Sequence, residues 1–188
     1  MQFGGLCMVA REEALELLRE LNKSEGLIKH ALAVEAVMRY MARKFGGDEE
    51  KWGITGLIHD LDYEMYPEQH CEKTEEILRE RGWDEEVIRA VVSHGYGVCT
   101  DVEPVSDMEK VLYCVDELTG LVAATALVRP SKSVMDMKAK SVRKKWKDKS
   151  FAAGVDREIV EKGAAMLGME LNELFTDVIM GMREMEAE

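Results

Sequence analysis

WGITGLIHDLDY, residues 52–63, decides how the chain is read. A short apolar run ends in His59 and Asp60, so two strong metal-binding groups leave a hydrophobic element side by side. The chain has only three further histidines, His30, His70 and His94, each on or beside the apolar face of an expected helix. Asp116 interrupts the most apolar segment. The resulting order is H…HD…H…H…D.

Outward from this stretch the apolar spacing is helical, and strand alternation is absent. Upstream, Ala14, Leu17, Leu18 and Leu21 form the stripe of a first helix. Ser24 is placed to cap a second, striped by Leu27, Ala31, Val34, Met38, Met41 and Phe45 and closed at Gly46–Gly47. His30 is in phase with Val34, Val37 and Met41. Asp48 caps a third helix ending near His59 and Asp60.

Downstream, 61–69 turns polar around Pro67, and His70 opens a fourth helix with Thr74, Ile77 and Leu78, closed by Gly82. Asp84 caps a fifth, where Val87, Val91 and His94 share one inward face. Ser106 and Glu109 have capping-box spacing ahead of a long apolar helix that carries Asp116 and ends at Arg129–Pro130. Two more helices are expected over roughly 156–167 and 170–186. The expectation is an all-α bundle with a metal site in its core. We read 1–188 as one domain, with a core of about 24–128 and a helical extension of about 129–188.

A chain of 188 residues buries about two thirds of the surface it exposes unfolded. Thirteen methionines among few aromatics suit a helix-packed core. The net charge of −12 argues against general nucleic-acid binding, which needs a basic face. Cys7, Cys71, Cys99 and Cys114 make no CxxC and read as reduced thiols of a cytoplasmic protein. No signal-peptide pattern opens the chain, and the apolar segment 111–128 contains Asp116 and Glu117, so no membrane association is expected.

Imidazole and carboxylate donors together suit Mn, Fe, Co, Ni or Zn. Helices distant in sequence can bring such donors together inside a bundle. A charged Asp116 in an apolar helix needs a cation or a strong hydrogen-bond network to compensate it. A single histidine on an apolar face is usually a core residue; four of four beside a buried acid point to a divalent transition-metal site.

The residues carrying this order are His30 in HALAVEAVMRYMA, His59–Asp60 in GLIHDLDYE, His70 in HCEKTEEIL, His94 in VVSHG and Asp116 in VLYCVDELTGLV. Over about 27–122 the sequence resembles the HD superfamily of metal-dependent phosphohydrolases, in its HDIG-like branch. The resemblance implies that His30, His59, Asp60 and Asp116 hold one ion. His70 and His94 would hold a second, bridged by Asp60. Many two-metal members continue HD-x-G-K, whereas this chain reads His59–Asp60–Leu61–Asp62–Tyr63.

The implied activity is hydrolysis of a phosphoester of a nucleotide or another small phosphorylated metabolite by metal-activated water. Asp60 belongs to this machinery, and Asp62 or Glu64 could relay a proton; both acids also fit a solvated loop. Lys73 could reach phosphate or be an exposed helix lysine. The run 138–149, locally +6 and including Lys144 and Lys145, could attract substrate or form a solvated face. Trp146 within it could stack on a base or anchor its helix, and Cys71 reads as a packing thiol rather than a ligand. An HD-type di-iron oxygenase and a non-catalytic metal- or nucleotide-binding regulator are the alternative functions.

Overall fold

Residues 9–187 are described by the computed structural model, which is helical throughout; among them the single extended feature is an isolated bridge between Tyr96 and Thr100. The helices are α1 Arg11–Leu21, α2 Glu25–Phe45, α3 Glu49–Leu57, α4 Glu72–Glu80, α5 Glu85–Ser93, α6 Asp107–Leu127, α7 Ala139–Trp146, α8 Arg157–Leu167 and α9 Leu171–Ala187. A one-turn 3-10 helix, Pro67–Gln69, precedes α4. Cys7 lies outside the described residues. No described helix is long and apolar enough to cross a membrane.

The caps follow the local chemistry read from the sequence. Ser24, Asp48, Asp84 and Ser106 each accept a backbone N–H of the first turn of α2, α3, α5 and α6. Gly46 and Gly168 take the left-handed conformation that closes α2 and α8. The Ser106 box is modified: Ser106 accepts from Glu109, but Glu109 reaches back to the N–H of Val105 rather than of Ser106. His70 does not open α4. It lies in the turn before Cys71, whose φ of 69° breaks the helical run.

Two apolar clusters result. One joins α2 and α6 with α7, α8 and α9 through residues such as Val37, Met41, Leu118, Val160, Phe175 and Val178. The other joins α1, α3, α4 and α5 through Leu18, Ile54, Leu57, Leu78 and Ile88. α3 and α9 both lie against α2 because glycines permit it: a Cβ on Gly56 would stand 3.0 Å from the Val34 carbonyl oxygen, and one on Gly181 2.7 Å from the Val37 Cα.

Buried charge ties α1 to the same helix. Glu35, 3% exposed on α2, accepts from Arg11 of α1 and from Arg39 one turn along. Both guanidinium forks are needed to offset the cost of burying that carboxylate. The basic run 138–149 forms α7 and a following loop. Trp146 packs on the ring of Phe175 at 5.2 Å, the helix-anchoring option of the two readings. Arg157 donates to the carbonyls of Trp146, Asp148, Phe151 and Val155 and so holds the loop between α7 and α8 in shape.

Candidate metal centre

His30 projects from the first half of α2, and Asp116 from the middle of α6. His59 and Asp60 stand in the tight turn that follows α3, where the Ile58 N–H still bonds back to Ile54 before the helix unwinds. His94 is the C-cap of α5, so its spacing from Val87 and Val91 carries it to the end of that helix, facing inward. Five chain segments thus deliver the four imidazoles and two carboxylates to one place.

The distances divide these groups into two sets around Asp60. On one side His30 Nε2 is 2.8 Å from Asp116 Oδ1, and His59 Nε2 lies 3.2 Å from the same oxygen and 3.3 Å from Asp60 Oδ2. On the other side Asp60 Oδ1 is 3.4 Å from His94 Nε2 and 3.6 Å from His70 Nε2. His30, His59, Asp60 and Asp116 can each offer a donor atom within 4.8 Å of the others, and so can His70, Cys71 and His94. Cys71, read from the sequence as a packing thiol, is buried but also points its sulfur toward this second group.

The hydrogen bonds of the imidazoles show what the set is fitted to hold. His59 Nδ1 bonds the Gly56 carbonyl at 2.7 Å, His94 Nδ1 bonds the Val91 carbonyl, and His70 Nδ1 bonds Asp62 Oδ1 at 2.8 Å. Each outer bond assigns the proton to Nδ1 and leaves the Nε2 lone pair facing a carboxylate oxygen. A lone pair against an anion is repulsive unless a proton or a metal cation lies between them. His59 Nε2 is fully buried and makes no hydrogen bond, although two carboxylates are within ion-pair distance. That orphaned nitrogen, between hard oxygen donors, fits a divalent cation of the transition series.

The electrostatics agree. Burial opposes charge on His59, but Asp60 and Asp116 outweigh it and hold the imidazole protonated well above its usual range. Burial likewise opposes ionisation of Asp60 and Asp116, yet the neighbouring imidazoles hold both below the usual carboxylate range. His70 is raised too, with burial opposing and Asp62 and Asp60 prevailing. Protons here take the place that a cation would occupy.

A cavity of about 340 Å³ opens onto these groups. Leu27, Val98, Val155 and Ile159 form its apolar wall; Tyr63, Cys99 and Glu117 supply polar edges. Burial and the adjacent Asp116 push the Glu117 carboxyl up to about 7, while one of its oxygens accepts the Asp156 N–H. Cys99 is drawn down to about 6 by its contact with the Cys71 thiol and by His70, against burial; Cys71 is pushed up.

Several residues singled out in the sequence stand elsewhere. Asp62 is not a solvated loop acid: it is fully buried, with one oxygen on His70 Nδ1 and the other accepting the Thr74 N–H. Glu64 accepts the N–H groups of Lys23 and Ser24, where it steadies the start of α2. Lys73 pairs with Glu76 at 2.6 Å and lies over the Tyr66 ring. Lys145 stacks on Phe151, and neither it, Lys144 nor Lys73 lines the cavity. Among the described residues no lysine or arginine lines it.

Sequence reasoning overlooked Glu117, whose only signal was an acid adjoining Asp116 in an apolar helix, and Gly154 and Val155, which carried none. The latter two reach the cavity on the loop that Arg157 organises.

No curated protein matches the chain. The model of the HD domain matches residues 27–120, half of its length, a span that begins on α2 just ahead of His30 and ends on α6 just past Asp116. Members of that family are generally metal-dependent phosphohydrolases. The matched span encloses every imidazole and carboxylate of the centre, and the chain belongs to the HD-domain family.

Proposed function

We propose that this chain is a cytoplasmic metal-dependent phosphohydrolase of the HDIG-like, two-ion kind, acting on a phosphoester of a nucleotide or another small phosphorylated metabolite. The observation that carries this reading is the double aspect of Asp60. One of its oxygens faces His59 and the other faces His70 and His94, as a carboxylate shared by two cations would. His30, His59, Asp60 and Asp116 would hold one ion, and His70, His94 and Asp60 the other, with Mn, Fe, Co, Ni or Zn suited to these donors. Such ions make hydroxide available near neutral pH and offset charge on phosphoryl oxygens.

The remaining work falls to the protein. Bonds from the Gly56 and Val91 carbonyls and from Asp62 fix three imidazole rings before anything binds. Leu27, Val98, Val155 and Ile159 keep bulk water from one side of the cavity. Glu117, rather than Asp62 or Glu64, is the carboxyl at the cavity able to hand a proton to the leaving oxygen. With no lysine or arginine in the lining, a substrate of low charge such as a phosphomonoester suits the cavity better than a polyphosphate. Its volume also suits a small metabolite.

Protein purified without chelator should contain near-stoichiometric metal and release phosphate from at least one member of a phosphomonoester panel supplied with Mn, Fe, Co, Ni or Zn. Metal-free protein that stays silent across the panel would refute the assignment.

One observation favours the oxygenase reading. Asp62 and Tyr63 stand where HD-x-G-K has glycine and lysine, and among the described residues no other lysine or arginine replaces that lysine in the cavity. Coloured, iron-loaded protein that consumes oxygen with an organic substrate and spares every phosphoester would decide for it.

A further inference from the structure

Cys71 and Cys99 come from different segments, yet their sulfur atoms are 2.8 Å apart. Three features of the surrounding backbone serve this contact. Cys71 has φ 69°, in the left-handed region that disfavours side chains, and its thiol makes no cap bond to α4. The strained conformation therefore gains nothing from capping; what it achieves is to aim the sulfur at Cys99. Residue 95 is glycine, and a methyl group there would overlap both sulfurs. Cys99 also contacts the Gly95 carbonyl through its thiol, at 3.7 Å. Access is unequal: Cys71 is 1% exposed, whereas Cys99 is exposed and edges the cavity. Cys114, the remaining described cysteine, is buried on α6 with its thiol on the Val111 carbonyl and takes no part.

We infer that Cys71 and Cys99 are a modification site, a dithiol that hydroperoxides convert reversibly to a disulfide at the mouth of the metal cavity. This holds whether or not the phosphohydrolase reading does. The exposed Cys99 sulfur attacks the peroxide, the O–O bond breaks, Cys99 becomes a sulfenic acid, and one water leaves when the peroxide is hydrogen peroxide. The Cys71 sulfur, already in contact, then attacks Cys99 Sγ. The S–O bond breaks and a second water departs with the thiol proton. Two thiols lose two electrons, and one hydrogen peroxide becomes two waters. A buried resolving thiol in contact with an exposed one favours the disulfide over further oxidation of Cys99.

The bond would have a definite mechanical effect. Cys71 follows His70 directly, and Cys99 lies in the loop just after His94. Oxidation ties together covalently the two segments that carry the second pair of imidazoles, which the reduced form leaves joined by non-covalent contacts.

The test uses the full chain, reduced, freed of reductant, exposed to a small excess of hydrogen peroxide, then alkylated under denaturing conditions and weighed. The four cysteines should fall to two alkylatable thiols, with a Cys71–Cys99 cross-linked peptide on mapping and full recovery after dithiothreitol. Cys7→Ser should still form the cross-link. Cys99→Ser, a change at an exposed position, should keep all three remaining thiols. Retention of all four thiols in the parent chain, sulfinic acid on Cys99 with Cys71 still alkylatable, or a bond from either residue to Cys7 would each overturn the inference.

Discussion

At the scale of single residues, Asp60 and Glu117 test the proposed division between holding a cation and using it. Asp60 touches both imidazole sets, so Asp60→Ala should lose all bound metal and with it turnover, read by elemental analysis beside a phosphate-release assay. His94→Ala should lower the metal content by about half, because His30, His59 and Asp116 still converge without it. Unchanged metal in both variants would dismiss the ligand assignment. Glu117 contacts neither imidazole set as a ligand would, so Glu117→Gln should retain metal while kcat falls about 100-fold or more, the range of general acid catalysis. An unaltered kcat would return Glu117 to a structural role on Asp156. The six histidine and aspartate positions were legible in the sequence because imidazole on an apolar face is chemically conspicuous. The burial of Asp62 was not legible, because polarity in a loop looks like solvation until Thr74 and His70 fold over it.

Among the helices, stability depends on how closely α3 and α9 approach α2. The Gly181 backbone packs on Val37, so Gly181→Ala should cost about 1–3 kcal/mol by overpacking, seen as a lower urea midpoint at constant slope. A midpoint equal to that of the parent would mean that the helix pair can shift apart freely. Capping offers a second case. Asp84 accepts the Glu86 N–H at the start of α5 and meets Lys51 at 2.8 Å, and the Lys51 ammonium holds its carboxyl below the usual range. The folded chain therefore keeps this charge to lower pH than the unfolded chain does. The stabilisation is complete above about pH 4 and fades as pH falls through the depressed value. Asp84→Ala should cost about 1 kcal/mol at pH 7 and less at pH 3, by urea titration at each pH. A penalty that does not shrink would separate the cap from the ion pair. Helix limits were legible to within a residue or two, since Ser24, Asp48, Asp84 and Gly46 act on neighbours a turn away. The start of α4 is displaced by two residues, from His70 to Glu72, because the positive φ of Cys71 breaks the helical run.

For the molecule as a whole, the candidate metal centre joins helices from both apolar clusters, so a cation bound there would be part of the folding equilibrium. Free metal at 100 times its Kd adds about 2.7 kcal/mol, roughly 5–10 °C in Tm at this size. Melting with chelator should fall below melting with added Mn or Zn by about that much while helical circular dichroism persists; coincident curves would argue against a native cation site. The helical class and the donor residues that converge were legible because periodicity and donor type are local. How residues 129–188 bear on the cavity was not, since Gly154 and Val155 reach it only through the folding-back of a basic segment. The four carbonyls gathered by Arg157 give that segment a particular meaning. A guanidinium outside the lining holds the loop that forms part of the cavity wall, and it belongs to the stretch beyond the family match. If the proposed activity holds, the cation-binding donors and part of the cavity wall come from separate stretches of the chain, so a change in the second should leave the first in place.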